Sequence, residues 1–182
     1  ILKISNSNIN FGGTSENPFL ISGCNDKGGT LIIENSEIRF NNVKFSNLSA
    51  PNLKLRVLYG GVNIINSKII GNKIHIDKSQ SEDAINFINS NIKIGEMIFK
   101  DIKSDGLDSD FSDFRIKKVT CENIGNDCVD FSYSKGRINS IEASKIKDKV
   151  ISLGEASTLE VNNTIISNSE IGITAKDLSN LS

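Results

Sequence analysis

Five stretches of this chain recur at a fixed interval of 22 residues: Asp83-Ala84-Ile85-Asn86-Phe87, Asp105-Gly106-Leu107-Asp108-Ser109, Asp127-Cys128-Val129-Asp130-Phe131, Lys149-Val150-Ile151-Ser152-Leu153 and Ile171-Gly172-Ile173-Thr174-Ala175. No gap is needed to hold them in register. A fixed period of this length specifies a solenoid, because each copy buries its apolar face only by stacking on its neighbours.

The columns say what kind of solenoid. One reads Ile85, Leu107, Val129, Ile151, Ile173, and two places on stand Phe87, Ser109, Phe131, Leu153, Ala175. Apolar residues two apart in a short β-branched segment predict a strand with one buried face. By alternation, the column Ala84, Gly106, Cys128, Val150, Gly172 and the column Asn86, Asp108, Asp130, Ser152, Thr174 should point outward. Ile94, Ile116, Ile138 and Val161 (one place late) mark a second strand per copy, and Ile102, Ile124, Ile146 a third. Three short strands per repeat with no helical stretch between them describe an all-β fold, a parallel β-helix. Its expected hand is right, as for nearly all parallel crossovers.

Residues 1–80 keep the theme at a looser period. Ile4-Ser5-Asn6-Ser7-Asn8-Ile9 returns as Ile33-Glu34-Asn35-Ser36-Glu37-Ile38, Ile64-Ile65-Asn66-Ser67-Lys68-Ile69 and Phe87-Ile88-Asn89-Ser90-Asn91-Ile92. These longer coils should bulge into loops at residues 12–18, 23–29, 46–54 and 72–81. About seven coils result, and at about 4.8 Å per coil they build a rod about 30–35 Å long. With no linker or composition break, residues 1–182 read as a single domain, residues 81–182 being the regular part.

A formal net charge of −1 gives no electrostatic reason to expect nucleic acid or an anionic membrane as partner. No apolar run approaches the roughly 20 residues that span a bilayer. A chain that begins at Ile1 with neither Met nor signal peptide is expected to be a mature product or an excised domain. The three cysteines, Cys24, Cys121 and Cys128, cannot all pair. Cys128 stands in the small-residue column and Cys121 beside Phe99, Ala143 and Ile165, so stacked small apolar residues are the leading reading. A Cys121–Cys128 bridge, a metal site and a reactive thiol are the alternatives. His75 is the only histidine, expected on the water side of a strand, which excludes a His-based triad or zinc centre.

Carboxylates crowd the outward face of the middle coils: Asp83, Asp105, Asp108, Asp110, Asp113, Asp127, Asp130, then Asp148 and Glu155. Stacking makes neighbours of Asp105 and Asp127, and of Asp108 and Asp130. Carboxylates this close raise one another's pKa or recruit a cation. Paired acids are what glycoside hydrolysis uses, one to protonate the leaving oxygen and one to activate water or attack. Calcium is the other natural partner, with Asp108, Asp110 and Asp130 as ligands. The plainer role for the Asp83, Asp105, Asp127 column is to cap a turn by accepting backbone N–H groups. For the Asn86, Asp108, Asp130 column it is a solvated surface.

Two resemblances rest on these motifs. Ser104-Asp105-Gly106-Leu107-Asp108 followed by Asn126-Asp127-Cys128-Val129 resembles the polygalacturonase family of β-helix hydrolases. That likeness places Asp105 and Asp127 on two of the three family carboxylates, the third on Asn126 and the family histidine on Lys149. The Arg-Ile-Lys substrate clamp of the family has no counterpart. The series from Glu82-Asp83-Ala84-Ile85-Asn86 through Asp148-Lys149-Val150-Ile151-Ser152-Leu153-Gly154-Glu155 to Ile171-Gly172-Ile173-Thr174-Ala175-Lys176-Asp177 resembles the right-handed β-helix region of bacterial surface proteins of the spore-coat-H type. It departs from that pattern at Lys149-Val150, where the family has Lys-Gly. This second likeness implies an exported, envelope-associated module in the pectate-lyase-like superfamily.

The leading expectation is therefore a noncatalytic module of an extracellular or cell-surface bacterial protein. It binds a glycan through Asn86, Asp108, Asp130, Ser152, Tyr133 and Lys149, with calcium on the Asp ladder as an option, or it scaffolds neighbouring domains. The alternative is a polysaccharide hydrolase or lyase with Asp105, Asp108, Asp127 and Asp130 as the acids and Lys149 or Arg137 neutralising a uronate. For aromatic platforms the exterior offers Tyr133 and Phe111 or Phe114.

Overall fold

The computed structural model describes residues 1–24, 28–53 and 57–182. The strands are Leu2–Ser5 (β1), Asn8–Gly12 (β2), Phe19–Ser22 (β3), Leu31–Glu34 (β4), Glu37–Asn41 (β5), Val43–Ser46 (β6), Gly60–Ile65 (β7), Lys68–Asp77 (β8), Asp83–Ile88 (β9), Asn91–Ile102 (β10), Asp105–Asp110 (β11), Asp113–Ile124 (β12), Val129–Ser132 (β13), Lys135–Gly154 (β14), Thr158–Ala175 (β15) and Asn180–Leu181 (β16). Every recorded pairing is parallel and joins a strand to its counterpart one coil away. The chain is a parallel β-solenoid of about seven turns.

One ladder runs β1-β4-β7-β9-β11-β13 into the end of β14, and a second runs β2-β5-β8-β10-β12 into its start. The inward columns are continuous. Leu31, Val62, Ile85, Leu107, Val129, Ile151 and Ile173 stand opposite one another, as do Ile33, Ile64, Phe87, Ser109, Phe131, Leu153 and Ala175. From Leu31 to Ile151, and from Ile33 to Leu153, every one of these residues is buried.

The recurring Asn-Ser pair has a physical reason. Asn6, Asn35, Asn66 and Asn89 take positive φ (48–50°), and the chain turns from the first ladder into the second there. Asparagine tolerates this left-handed conformation better than most residues. The serine that follows faces in. Ser36 Oγ accepts the backbone N–H of Ser7 at 3.1 Å and donates to the Glu34 carbonyl at 2.8 Å. Ser67, Ser90, Ser112, Ser134 and Ser157 each accept the N–H of the serine one coil earlier. Each corner thereby passes a buried donor to the next coil, which removes the cost of leaving it unpaired.

Several expectations are corrected. The column Ala84, Gly106, Cys128, Val150 faces inward, with Ala84, Cys128 and Val150 fully buried. The chain is still bending into the strand there, and a Cβ on Gly106 would stand 3.3 Å from the Phe99 ring. Cys121 and Cys128 form a disulfide across the interior, with Cα atoms 6.0 Å apart, so they are not merely stacked small residues. Cys24 is free and exposed. Ile166, not Ile165, stands opposite Ala143; an additional residue at the Glu155–Ala156 corner advances β15 by one, and a bulge between Ile146 and Lys149 restores the 22-residue step. Residues 72–77 are strand rather than loop, since β8 continues to Asp77. The loops expected at 12–18, 23–29 and 46–54 do separate strands, although residues 25–27 and 54 lie outside the described set. Among the described residues no helix is long and apolar enough to cross a membrane.

Candidate functional site

On the outward side of the first ladder, register aligns Ile32, Asn63, Asn86, Asp108, Asp130, Ser152 and Thr174. A flanking column holds Glu34, Ile65, Ile88, Asp110, Ser132 and Gly154. In the early coils Ile32 and Ile65 form an apolar patch on this face with Leu58, and Ile88 packs alongside. The later coils are carboxylates and hydroxyls. The acidic surface thus begins where the apolar patch ends.

The column at the start of these strands works as a series of caps. Asp105 Oδ1 accepts the Asp127 backbone N–H and the Asn126 amide, both at 2.7 Å. Asp127 Oδ1 accepts the Lys149 backbone N–H at 2.9 Å. The Lys149 ammonium lies 3.3 Å from both Asp127 oxygens and also contacts the Asp148 carboxylate. Asp105 and Asp127 do stack as the spacing requires, and each is engaged in joining one coil to the next. Lys149 is held by two carboxylates, and the Asp148 hydrogen bond foremost raises its pKa.

Asn86 sits at the floor of the face, 3% exposed. Its amide donates to Asp83 at 3.0 Å and to Asp108 at 2.7 Å, and among the described residues its Oδ1 meets no donor. Burial pushes the Asp108 carboxyl up to about 9, reinforced by the charges of Asp83, Asp110 and Asp130. Burial likewise takes Asp83 to about 7 and Asp105 to about 6, and it raises Asp110 and Asp130. At neutral pH Asp108 therefore holds a proton and can donate a hydrogen bond as well as accept one.

A carboxyl raised in the fold lends its stability fully only below its unfolded pKa of about 3.9, and that contribution disappears as pH rises through the folded value. Asp108→Asn removes the titrating group and keeps the shape. The variant is expected to melt above the parent by a margin that widens from about pH 5 to about pH 9, at about 2–4 °C per kcal/mol relieved. Thermal unfolding across that range checks it; a margin independent of pH would show that Asp108 is not the strained group.

Asp110 and Ser132 are followed at the corner by Phe111 and Tyr133, where earlier coils have asparagine. Both take positive φ (52° and 51°), and both are exposed, at 59% and 55%. Their rings stack at 4.8 Å with 3° between planes. A left-handed conformation costs a residue without glycine's or asparagine's tolerance about 1–2 kcal/mol. Two bulky, exposed rings hold it side by side at these corners. Phe114 is no platform; it is buried at 4% and stacks on Phe131 at 4.4 Å.

Among the described residues no group of three or more His, Cys, Asp or Glu is placed to hold a metal ion. Calcium on Asp108, Asp110 and Asp130 would compete with the proton that burial favours on Asp108, because a carboxyl sheds its proton on binding a metal. His75 faces outward in β8, half-buried, and its pKa is lowered first by burial and then by Lys44.

The geometry brings together Asn86, Asp108, Asp110, Asp130 and Ser152 on one face, with Phe111 and Tyr133 at its edge. Lys149 belongs to the capping column instead. The pairing of Phe111 with Tyr133 was missed from the sequence; the signal was the loss of asparagine from two successive Asn-Ser corners. The chain matches no family model, no curated protein and no solved structure.

Proposed function

We propose that this β-solenoid is a noncatalytic glycan-binding module of an exported, surface-associated bacterial protein, and that a neutral polysaccharide lies along its acidic face. The observation that carries the reading is the exposed, parallel Phe111–Tyr133 stack beside Asp110, Asp130 and the protonated Asp108. Flat rings pack against the apolar face of a sugar, while carboxyl and hydroxyl groups exchange hydrogen bonds with its hydroxyls. A row of carboxyls disfavours uronate chains. The Cys121–Cys128 bridge supports export, since disulfides persist in oxidising compartments. The motif order, which resembles spore-coat-H-type surface proteins and through them the pectate-lyase-like group, agrees with that setting.

The test is retention on immobilised neutral polysaccharides, parent against Phe111→Asn/Tyr133→Asn. The substitution restores the residue that the earlier corners carry, so the variant is expected to melt no lower than the parent. Each ring contributes about 1 kcal/mol of stacking, so binding should weaken about 10- to 30-fold. Unchanged retention would remove the platform from the site.

A second reading, a polysaccharide hydrolase, has one observation in its favour: Asp108 is protonated at neutral pH and stands in register with Asp130. An acid and a neighbouring carboxylate are the minimum for glycoside cleavage. Against it, Asp105 and Asp127 are committed to caps, and Asp127 is ion-paired with Lys149.

A further inference from the structure

The outward side of the second ladder carries cations in register. Lys93, Arg115 and Arg137 stand directly opposite one another on three successive coils, about 4.8 Å apart along the ladder. Like charges placed opposite each other destabilise a sheet. Elsewhere on this ladder opposite charges face one another. Lys68 faces Glu37 at 3.0 Å, Lys73 faces Glu96 at 2.9 Å and Lys100 faces Glu122 at 3.0 Å. Lys93 and Arg115 make no ion pair among the described residues, and Arg137 meets Glu160 at 3.5 Å.

These residues border a groove of about 710 Å³ that also receives Lys117 and has no carboxylate in its lining. Gly71 and Gly95 line it with backbone alone. An adjoining hollow of about 830 Å³ shares Lys93, Arg115 and Arg137. Its two carboxylates, Asp113 and Glu160, lie against Lys135 and Arg137. All four cations of the groove are exposed. A ladder that elsewhere pairs opposite charges across coils but keeps three cations opposed along a concave surface carries a local cost that a bound anion would relieve.

We propose that this groove binds an acidic polysaccharide, whose carboxylate or sulfate groups meet Lys93, Arg115, Arg137 and Lys117 in turn. A guanidinium fork matches either oxyanion in two-point contact. A single-stranded nucleic acid fits less well, because such sites interleave exposed rings for base stacking. The one ring lining these hollows, Phe114, is buried. The site is separate from the acidic face and stands or falls independently of it.

The test is binding of the intact chain to polygalacturonate, dextran sulfate, uncharged dextran and oligothymidylate at rising salt, with Lys93→Gln/Arg115→Gln and, as control, Lys103→Gln. Retention by one or both acidic polysaccharides, released by salt, is expected. The double variant should bind at least about tenfold more weakly and the control should bind as the parent does. Preference for polygalacturonate assigns carboxylate as the ligand group, and preference for dextran sulfate assigns sulfate. The double variant loses a like-charge contact, so it should melt at or above the parent; binding is compared below the transition of both. No retention by either acidic polymer, equal binding by the double variant, or tighter binding of oligothymidylate would overturn the proposal.

Discussion

Val129→Asp is expected to abolish folding. Val129 is fully buried, with Leu107 opposite it on one side and Ile151 on the other. An aspartate there places a carboxylate between stacked apolar side chains with no cation in reach. Burying an unpaired charge costs several kcal/mol even after the group takes up a proton, comparable with a domain's whole stability of about 5–15 kcal/mol. Leu107→Asp should do the same. Val129→Ala separates packing from charge; it leaves a small cavity and should cost about 1–3 kcal/mol while the fold survives. Soluble yield and a circular dichroism melt read both. A soluble Val129→Asp protein with the parent's melting temperature would mean that this column faces water and that the coil is inside out.

Removing the bridge is the second large effect. Cys121 and Cys128 are seven residues apart in sequence and join the second ladder to the strand that follows. Closing so short a loop in the unfolded chain contributes about 2–3 kcal/mol. Cys121→Ala/Cys128→Ala, or reduction of the parent, should therefore lower the melting temperature by about 5–10 °C. Alkylation under native, non-reducing conditions should label Cys24 alone, and mass spectrometry of the digest reads this directly. Labelling of Cys121 or Cys128, or a melting temperature indifferent to reductant, would show that the two sulfurs are only neighbours.

The solenoid was legible because its cause is periodic. Columns such as Leu107 and Val129 need no long-range information beyond the repeat itself, and the repeat holds them opposite each other. Alternation failed at Ala84 and Cys128 because the chain is bending there, where two consecutive residues can both face in. The same failure kept the Cys121–Cys128 bridge an alternative rather than the leading reading, since a cysteine assigned to the outward column has little reason to pair across the interior. The step of one residue at the Glu155–Ala156 corner showed in the sequence only as Val161 standing one place late, because the bulge after Ile146 cancels it within a coil.

Of the candidate site, the acidic columns and their stacking were readable from spacing alone. What each carboxylate does was not. Asp105 and Asp108 are three residues apart, yet one accepts the Asp127 backbone N–H from the next coil while the other shares the Asn86 amide with Asp83. Burial depth and the direction of a side chain at a bend decide that, and neither is periodic. The stacked Phe111 and Tyr133 show the converse. They depart from the repeat, and such departures carry more functional information here than the repeat does.

The central claim is a polysaccharide-binding face that performs no cleavage. The most direct measurement incubates the intact chain with neutral and uronate-containing polysaccharides, with calcium and with chelator. It follows new reducing ends, the ultraviolet absorbance of unsaturated uronates, and retention of the protein on each polymer. Retention on a neutral polysaccharide without either product, lost in Phe111→Asn/Tyr133→Asn, is the expected result. Product that forms with the parent and disappears in Asp108→Ala or Asp130→Ala would contradict it and make this face an active site.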